Sequence, residues 1–354
     1  MAREKFCVGI DIGASSVKLC QLKKGKQGLC LAHFGMVPLP AETVVDGSLM
    51  NSARVVEAVQ ELIASHRVKQ KQAAIAISGH AVIIKKISLP QMSHEELEES
   101  MQWEAEQFIP FDIADVNLDV QIVNPESEQK GQMDVMLVAA KKDYVNEYTS
   151  AIMEAGLEPV VCDVDAFTVE NMFEANYDTS PGETVALVNI GASKTNINVL
   201  VDGVSSFTRD LNIGGHAFTE EIQRQLSVSR EEAEELKIGA PGASSQHTAG
   251  PPPEVTQAID GVAENVTSEI QRTLDFYSAT SADPPPAKLY LCGGTSRLEP
   301  LQKALNTRMG LPVEPIDPFR KIDTTNQDRD YLASLAPVAG VAVGLGLRYV
   351  GDQP

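Results

Sequence analysis

The chain has 354 residues, 43% of them hydrophobic and 22% charged, which describes a soluble globular protein too long for one ordinary core. A formal charge of -20 argues against a nucleic-acid backbone as partner and against direct docking on anionic lipid. Five scattered cysteines (Cys7, Cys20, Cys30, Cys162 and Cys292), mostly inside apolar runs, read as reduced, buried thiols of a cytosolic protein, and none of their spacings resembles a zinc site.

The chain enters a strand almost at once, so no signal peptide is expected, and no run approaches transmembrane length. Residues 6–22 read as a β-hairpin, with apolar runs at 6–12 and 17–22 around a Gly-Ala-Ser-Ser turn. Asp11 precedes the turn, Gly13 and Ala14 open it, Ser15 and Ser16 add hydroxyls, and Lys18 adds a positive charge. Backbone N–H groups, hydroxyls and one lysine suit a polyphosphate. A carboxylate suits Mg²⁺, directly or through water. A buried hairpin with a polar turn reads equally well from this stretch alone.

A third strand at 27–38, a helix at 53–68 and a buried strand at 73–77 follow, with a switch point at Ser78-Gly79-His80. A strand at 81–89 leads to a helix from Ser93 to about Phe108, which Pro110 stops. Ser93 and Glu96 spell a capping box, and Met92 with Leu97 a hydrophobic staple. Strands at 116–123 and 134–140, then a helix at 142–155 closed by Gly156, make 81–161 a compact α+β unit. A strand at 160–164 and a helix at 166–175 lead on to a polar stretch at 176–183.

Residues 185–203 then repeat Ile-Gly-Ala-Ser in the same strand–turn–strand frame, with Asn189, Gly191, Ala192, Ser193 and Thr195 on or beside the turn. This internal duplication is the strongest signal in the chain and suggests a two-lobed nucleotide clamp. Gly214-Gly215 opens a helix at 217–226, and Ser229 with Glu232 caps a shorter one. Residues 239–253 read as a mobile surface loop, 255–280 as a long helix. The strand 288–292 ends in Gly293-Gly294-Thr295-Ser296-Arg297 before a helix at 298–309. Such a turn can lay bare backbone against an adenine or ribose. Residues 336–350 read as a helix whose Gly340, Gly344 and Gly346 permit close packing.

In this order, hairpin, connecting helix, hairpin, Gly-Gly turn and small-residue helix, the chain resembles the actin-like ATPase superfamily along essentially its whole length. Within it, Ile-Asp-Ile-Gly-Ala-Ser-Ser-Val-Lys-Leu, Trp-Glu-Ala-Glu-Gln-Phe-Ile-Pro-Phe and Gly-Gly-His-Ala-Phe-Thr-Glu-Glu-Ile-Gln-Arg resemble the PilM family of type IV pilus assembly. The resemblance implies an α/β fold of two lobes, built from duplicated RNase H-like domains, with an inserted subdomain of the type shared by FtsA and PilM. The expected division is 1–80, 162–183 and 336–354 for the first lobe, 81–161 for the insert, 184–214 and 286–335 for the second lobe, and 215–285 for its cap.

The same resemblance implies ATP and Mg²⁺ as ligands, with Asp11 holding the metal. Gly13, Ala14, Ser15, Ser16, Lys18, Asn189, Gly191, Ala192, Ser193, Thr195, Gly214, Gly215, Gly293, Gly294, Thr295 and Arg297 would surround the nucleotide. Ala233-Glu234-Glu235-Leu236-Lys237 matches a superfamily pattern that contacts the nucleoside, so Glu234 and Lys237 are candidate ribose contacts. Asp165 lies near where such proteins position the attacking water, with helix capping as its alternative role; Asp11 and Asp165 are the candidate catalytic pair. Asn189 stands where an aspartate is expected, which favours binding, and slow hydrolysis, over fast turnover.

As partner the resemblance implies the cytosolic N-terminal segment of PilN, an inner-membrane protein, held in a groove beside the insert. Phe108, Ile109 and Phe111 are candidates for its lining or for core packing. Pilus motor ATPases and weak self-association are further implications. The expected location is cytoplasmic, peripheral on the inner membrane through that partner. A cell-division protein like FtsA and a small-molecule kinase of the superfamily are the competing readings.

Overall fold

The computed structural model describes residues 5–26, 28–126, 130–239 and 252–352. The composition-based loop at 239–253 therefore lies, apart from its ends, outside the described residues.

β1 (Val8–Ile12), β2 (Ser16–Lys24) and β3 (Leu29–Pro38) form an antiparallel meander, followed by a small ribbon of β4 (Val44–Val45) and β5 (Ser48–Leu49). α1 (Ser52–Ser65) buries Val55, Val56, Val59 and Leu62 at helical spacing and carries the chain to β6 (Gln72–Ile77), parallel to β1. β7 (Val82–Pro90), α2 (His94–Ala105), β8 (Val116–Asn124) and β9 (Gln132–Lys141) then build a separate three-stranded sheet ordered β7-β9-β8, with its own core around Leu97, Met133 and Leu137. The capping box of α2 is present, with Glu96 N–H donating to Ser93 Oγ at 3.2 Å and Ser93 N–H to Glu96 Oε2 at 2.8 Å.

α3 (Lys142–Glu154) and β10 (Glu158–Val164) return to the first lobe, whose sheet is ordered β10-β6-β1-β2-β3. This departs from the expected insert of 81–161. Tyr144, Tyr148 and Ile152 of α3 join the core under α1, and β10 pairs parallel with β6, so the inserted layer ends near Lys141. α4 (Asp165–Asn176) crosses to the second lobe.

There β11 (Thr184–Ile190), β12 (Thr195–Val201) and β13 (Val204–Leu211) repeat the meander. The cap helices α5 (Gly215–Leu226), α6 (Arg230–Ile238) and α7 (Pro253–Thr280) follow. β14 (Lys288–Cys292), α8 (Glu299–Arg308) and β15 (Val313–Pro315) complete a sheet ordered β13-β12-β11-β14-β15. Both large sheets therefore place a meander beside two parallel strands in the same order, and the duplication read from the sequence is structural.

The segment after β15 departs from its expected place in the second lobe. Ile316, Phe319 and Ile322 pack with Phe34 of β3, and Asp323 exchanges backbone bonds with Leu29 and Leu31 at 2.9 Å. α9 (Arg329–Leu335) had no sequence signal strong enough to be read. α10 (Gly340–Leu347) is shorter than the expected 336–350, because residues 336–338 form a 3₁₀ turn and Tyr349 makes an isolated antiparallel bridge to Phe6. A Cβ on Gly344 would stand 1.8 Å from the Thr168 carbonyl oxygen, and one on Gly9 would stand 2.6 Å from Ala342 oxygen. α10 thus lies against α4 through its own Gly344 and against β1 through that strand's Gly9. Among the described residues no single helix is long and apolar enough to cross a membrane.

Candidate functional site

The second hairpin meets the first lobe where Lys194 reaches the Ser78 and Asp46 carbonyls. In the first hairpin, β1 and β2 place Asp11 opposite Lys18, and Lys18 Nζ donates to Asp11 Oδ2 at 3.0 Å with both side chains largely buried. Gly13 N–H closes the turn on the Ser16 carbonyl at 3.0 Å. A Cβ on Gly13 would stand 3.1 Å from Lys18 Nζ, so the lysine arches over a bare backbone turn. Ser15 is exposed at the tip, Ser16 is buried, and Ala14 packs partly into the core.

The second hairpin repeats this geometry with different charges. Gly191 N–H donates to the Lys194 carbonyl at 2.8 Å, the counterpart of the Gly13 bond. Asn189 stands opposite Asn196, and their side chains bond at 3.0 Å where the first hairpin has its ion pair. Asn196 Nδ2 in turn donates to Asp210 Oδ1 at 2.8 Å. Ala192 and Ser193 form the half-buried tip, while the Thr195 hydroxyl is spent on the Ile213 carbonyl at 2.7 Å.

The glycine pairs lock onto this second turn. Gly215 N–H donates to Gly191 oxygen at 3.0 Å and His216 N–H to Ala192 oxygen at 2.7 Å, so the start of α5 is occupied by the hairpin. Thr295 Oγ1 donates to the same Gly191 oxygen at 2.7 Å. Gly293 has φ +89 and a Cβ there would stand 2.3 Å from Ile190 oxygen, which excludes any side chain. Gly294 and Arg297 lie exposed beside it. Lys237 Nζ bonds Glu234 Oε1 at 2.7 Å, Thr219 Oγ1 at 2.9 Å and Gly215 oxygen at 3.2 Å. Burial lowers the Lys237 pKa; at Glu234 burial works upward, but Lys237 and the Thr219 hydroxyl outweigh it.

Asp165 starts α4 between the two hairpins. Burial, with the nearby carboxylates of Asp11 and Asp210, pushes it up to about 7, against a hydrogen bond from Ser78. An acid poised there can exchange a proton near neutral pH. Among the described residues no cluster of three or more histidine, cysteine or acidic side chains could hold a metal. A divalent ion would rely on Asp11, water and its own ligand's phosphates, as Mg²⁺ commonly does.

Five residues absent from the candidate set read from the sequence tie the lobes together: Asp46, Ser78 and Gly79 on one side, Lys194 and Asp210 on the other. Lys194 Nζ reaches across to the Ser78 carbonyl at 3.1 Å and the Asp46 carbonyl at 3.2 Å, and Gly79 N–H donates to Asp210 Oδ2 at 2.6 Å. Burial lowers the Lys194 pKa while Asp210, Asp165 and Asp46 work against it. Aligning the two hairpins puts Lys194 at the position of Ser16, which was the one available signal. Behind this contact a cleft of about 370 Å³ is lined by Ser78, His80, Lys85, Asp165, Arg209 and Asp210, where both lobes meet β7 of the insert.

The sequence model of the family described as type IV pilus assembly protein PilM matches residues 9–350. A chain solved in a "PilM-PilN type IV pilus biogenesis complex" is 31% identical, with a TM-score of 0.87 over 99% of this chain and 100% of that one. The ethanolamine utilization protein EutJ from Carboxydothermus hydrogenoformans is 15% identical, with a TM-score of 0.56 over 97% of this chain and 89% of that one. The archaeal actin homologue Ta0583 is 12% identical, with a TM-score of 0.51 over 96% of this chain and 98% of that one. At such identities the last two speak for the fold alone, which is actin-like. The chain belongs to the PilM family of type IV pilus assembly proteins.

Proposed function

We propose that this PilM-family chain is a cytoplasmic scaffold of type IV pilus assembly. It binds MgATP between its lobes and docks the cytosolic N-terminal tail of a PilN-like inner-membrane protein. The observation that carries the reading is its full-length likeness to the PilM of a PilM-PilN complex.

Two edge strands supply a dock for such a tail. β10 ends the first sheet and β8 ends the inserted one, so each leaves one side of its backbone unpaired. Between them lies an ionic cluster. Arg348 Nη1 is 3.4 Å from Asp163 Oδ2 on β10, Arg348 Nε is 2.9 Å from Asp352 Oδ2, and Asp119 on β8 feels the Arg348 charge. An extended tail can add to a free edge through main-chain bonds, with a few apolar anchors setting register. Phe108, Ile109 and Phe111, candidates for its lining, pack instead with the insert's own core.

The nucleotide reading rests on the paired turns. Gly13 and Gly191 present bare backbone, Lys18 adds a cation, Asp11 suits Mg²⁺, and Gly293–Gly294 leave a flat surface for the base or ribose. Bound Mg²⁺ would neutralise phosphate charge. With Asn189 in the second half-site, one of two carboxylates is missing, so binding dominates over turnover.

The test is recovery of the tagged full chain from solubilised membranes of its own cell. The expected prey is an inner-membrane protein with a short cytosolic N-terminal tail, lost when that tail is deleted. Recovery independent of the tail would contradict the proposal.

A further inference from the structure

The chain holds a single tryptophan, Trp103, and it is 76% exposed on the outer side of α2. An indole is normally withdrawn from water because it is the largest side chain available for burial. Here the helix buries Leu97, Met101 and Ala105. At 3.6 residues per turn those three share one stripe, and Trp103 points away from it. It therefore contributes nothing to the insert's core.

Its surroundings have one sign. Residues 94–107 contain six glutamates and neither lysine nor arginine. Glu99 and Glu106 lie one turn before and one turn after Trp103, and both are exposed. Glu96 is held by the capping box and His94 pairs with Glu98 at 3.4 Å, so those two glutamates have local work. Glu99 and Glu106 flank the indole with open carboxylates.

We propose that the Trp103 face of α2 docks a cationic, arginine-bearing segment of a partner protein. A guanidinium can stack on the indole while bonding the flanking carboxylates, and an exposed tryptophan at the centre of such a patch is the usual shape of an interface anchor. Charge complementarity favours this occupant over the others. A second copy meeting face to face across a two-fold axis would set glutamates against glutamates. An anionic lipid surface would meet the same repulsion. The face is separate from the groove beside β8 and β10, since His94 and Glu98, which feel Asp119, lie on the opposite side of the helix. It does not depend on the proposed tail-docking function.

The probe is a fluorescein-labelled 15-residue peptide with arginines at four-residue spacing and leucines beside them, titrated into the full chain. Saturable one-to-one binding is expected at 50 mM salt, with a shift in the emission of Trp103, which has no competing tryptophan. Trp103→Ala should weaken binding at least tenfold, Trp103→Phe should recover part of it, and Glu99→Gln with Glu106→Gln should weaken it severalfold. The peptide with glutamate in place of arginine should not bind. Circular dichroism of each variant checks the fold, which an exposed position should leave intact. The proposal is overturned by no binding, by binding indifferent to Trp103→Ala, by a dimer that this substitution dissolves, or by Trp103-dependent capture on anionic vesicles.

Discussion

Asn189 donates from Nδ2 to Asn196 Oδ1 at 3.0 Å, at the register positions where the first hairpin pairs Asp11 with Lys18. The two turns are closed by matching backbone bonds, so the difference between the half-sites is one of charge, not shape. The first sets a carboxylate against an ammonium; the second sets two amides against each other.

Restoring the charge should restore metal dependence. Asn189→Asp is expected to raise ATP turnover above a slow wild-type level and to make nucleotide affinity more sensitive to Mg²⁺. It should cost about 1 kcal/mol of stability, because a carboxylate cannot make the bond that Asn189 Nδ2 donates to Asn196 Oδ1. Steady-state phosphate release measures this. A wild-type rate already at the enzyme median of about 10 s⁻¹ would refute the preference for binding over turnover.

Nucleotide binding itself is checked by thermal melting. A ligand at a hundred times its Kd stabilises the folded state by about 2.7 kcal/mol, a shift of several degrees. MgATP should produce that shift in the wild type and much less in Lys18→Ala, which removes the cation arched over Gly13. An unmoved melting temperature, with no nucleotide copurifying, sinks the assignment.

The α4–α10 crossing gives a packing prediction independent of ligand. Gly344→Ala would drive a methyl to 1.8 Å from Thr168 oxygen, and neither backbone can yield without moving a helix. It should destabilise the protein by about 3 kcal/mol in urea. Gly340→Ala meets only the Met172 and Cys292 side chains at 3.5 Å or more, and should cost under about 1 kcal/mol. Equal costs would contradict the described crossing.

Asp165 should leave a pH signature. Its folded pKa, about 7, lies above the usual carboxylate value. The folded state therefore holds a proton that the unfolded chain has released between about pH 4 and 7, and stability falls as pH rises through that window. Asp165→Asn removes the ionisation. The variant should be more stable than wild type at pH 8, by roughly 1–3 kcal/mol, with the gain fading toward pH 4. Glu170, also pushed to about 7 by burial, adds a similar slope that this substitution leaves in place. A gain independent of pH would contradict the assignment.

What the sequence disclosed was local. The repeated Ile-Gly-Ala-Ser turns, the capping box at Ser93 and Glu96, and the small residues of α10 each follow from neighbours within a few positions, and each was found in place. The cross-lobe contacts were hidden because their partners are far apart in sequence: Lys194 meets Ser78 and Asp46, and Asp210 meets Gly79. The helix α3 looked like part of the insert because it follows β9 directly, yet Tyr148 buries itself beside α1 and bonds Gly47 oxygen at 2.6 Å. Gly214 and Gly215 read as a glycine pair opening a helix beside the nucleotide, but their role in packing α5 on the second turn depends on tertiary closure.

Docking of the tail of a PilN-like protein in the groove between β10 and β8 is tested by calorimetric titration. The titrant is the synthetic N-terminal peptide of the cognate PilN-like protein, added to wild type, Cys162→Trp and Asp119→Arg. Both substituted residues are exposed on the two edge strands, so the variants should fold and keep their MgATP melting shift. One-to-one binding to the wild type should survive 0.5 M salt, where the screening length falls to about 4 Å, and binding to both variants should be at least about tenfold weaker. Equal affinity for all three proteins, or binding that collapses on adding salt, would contradict it.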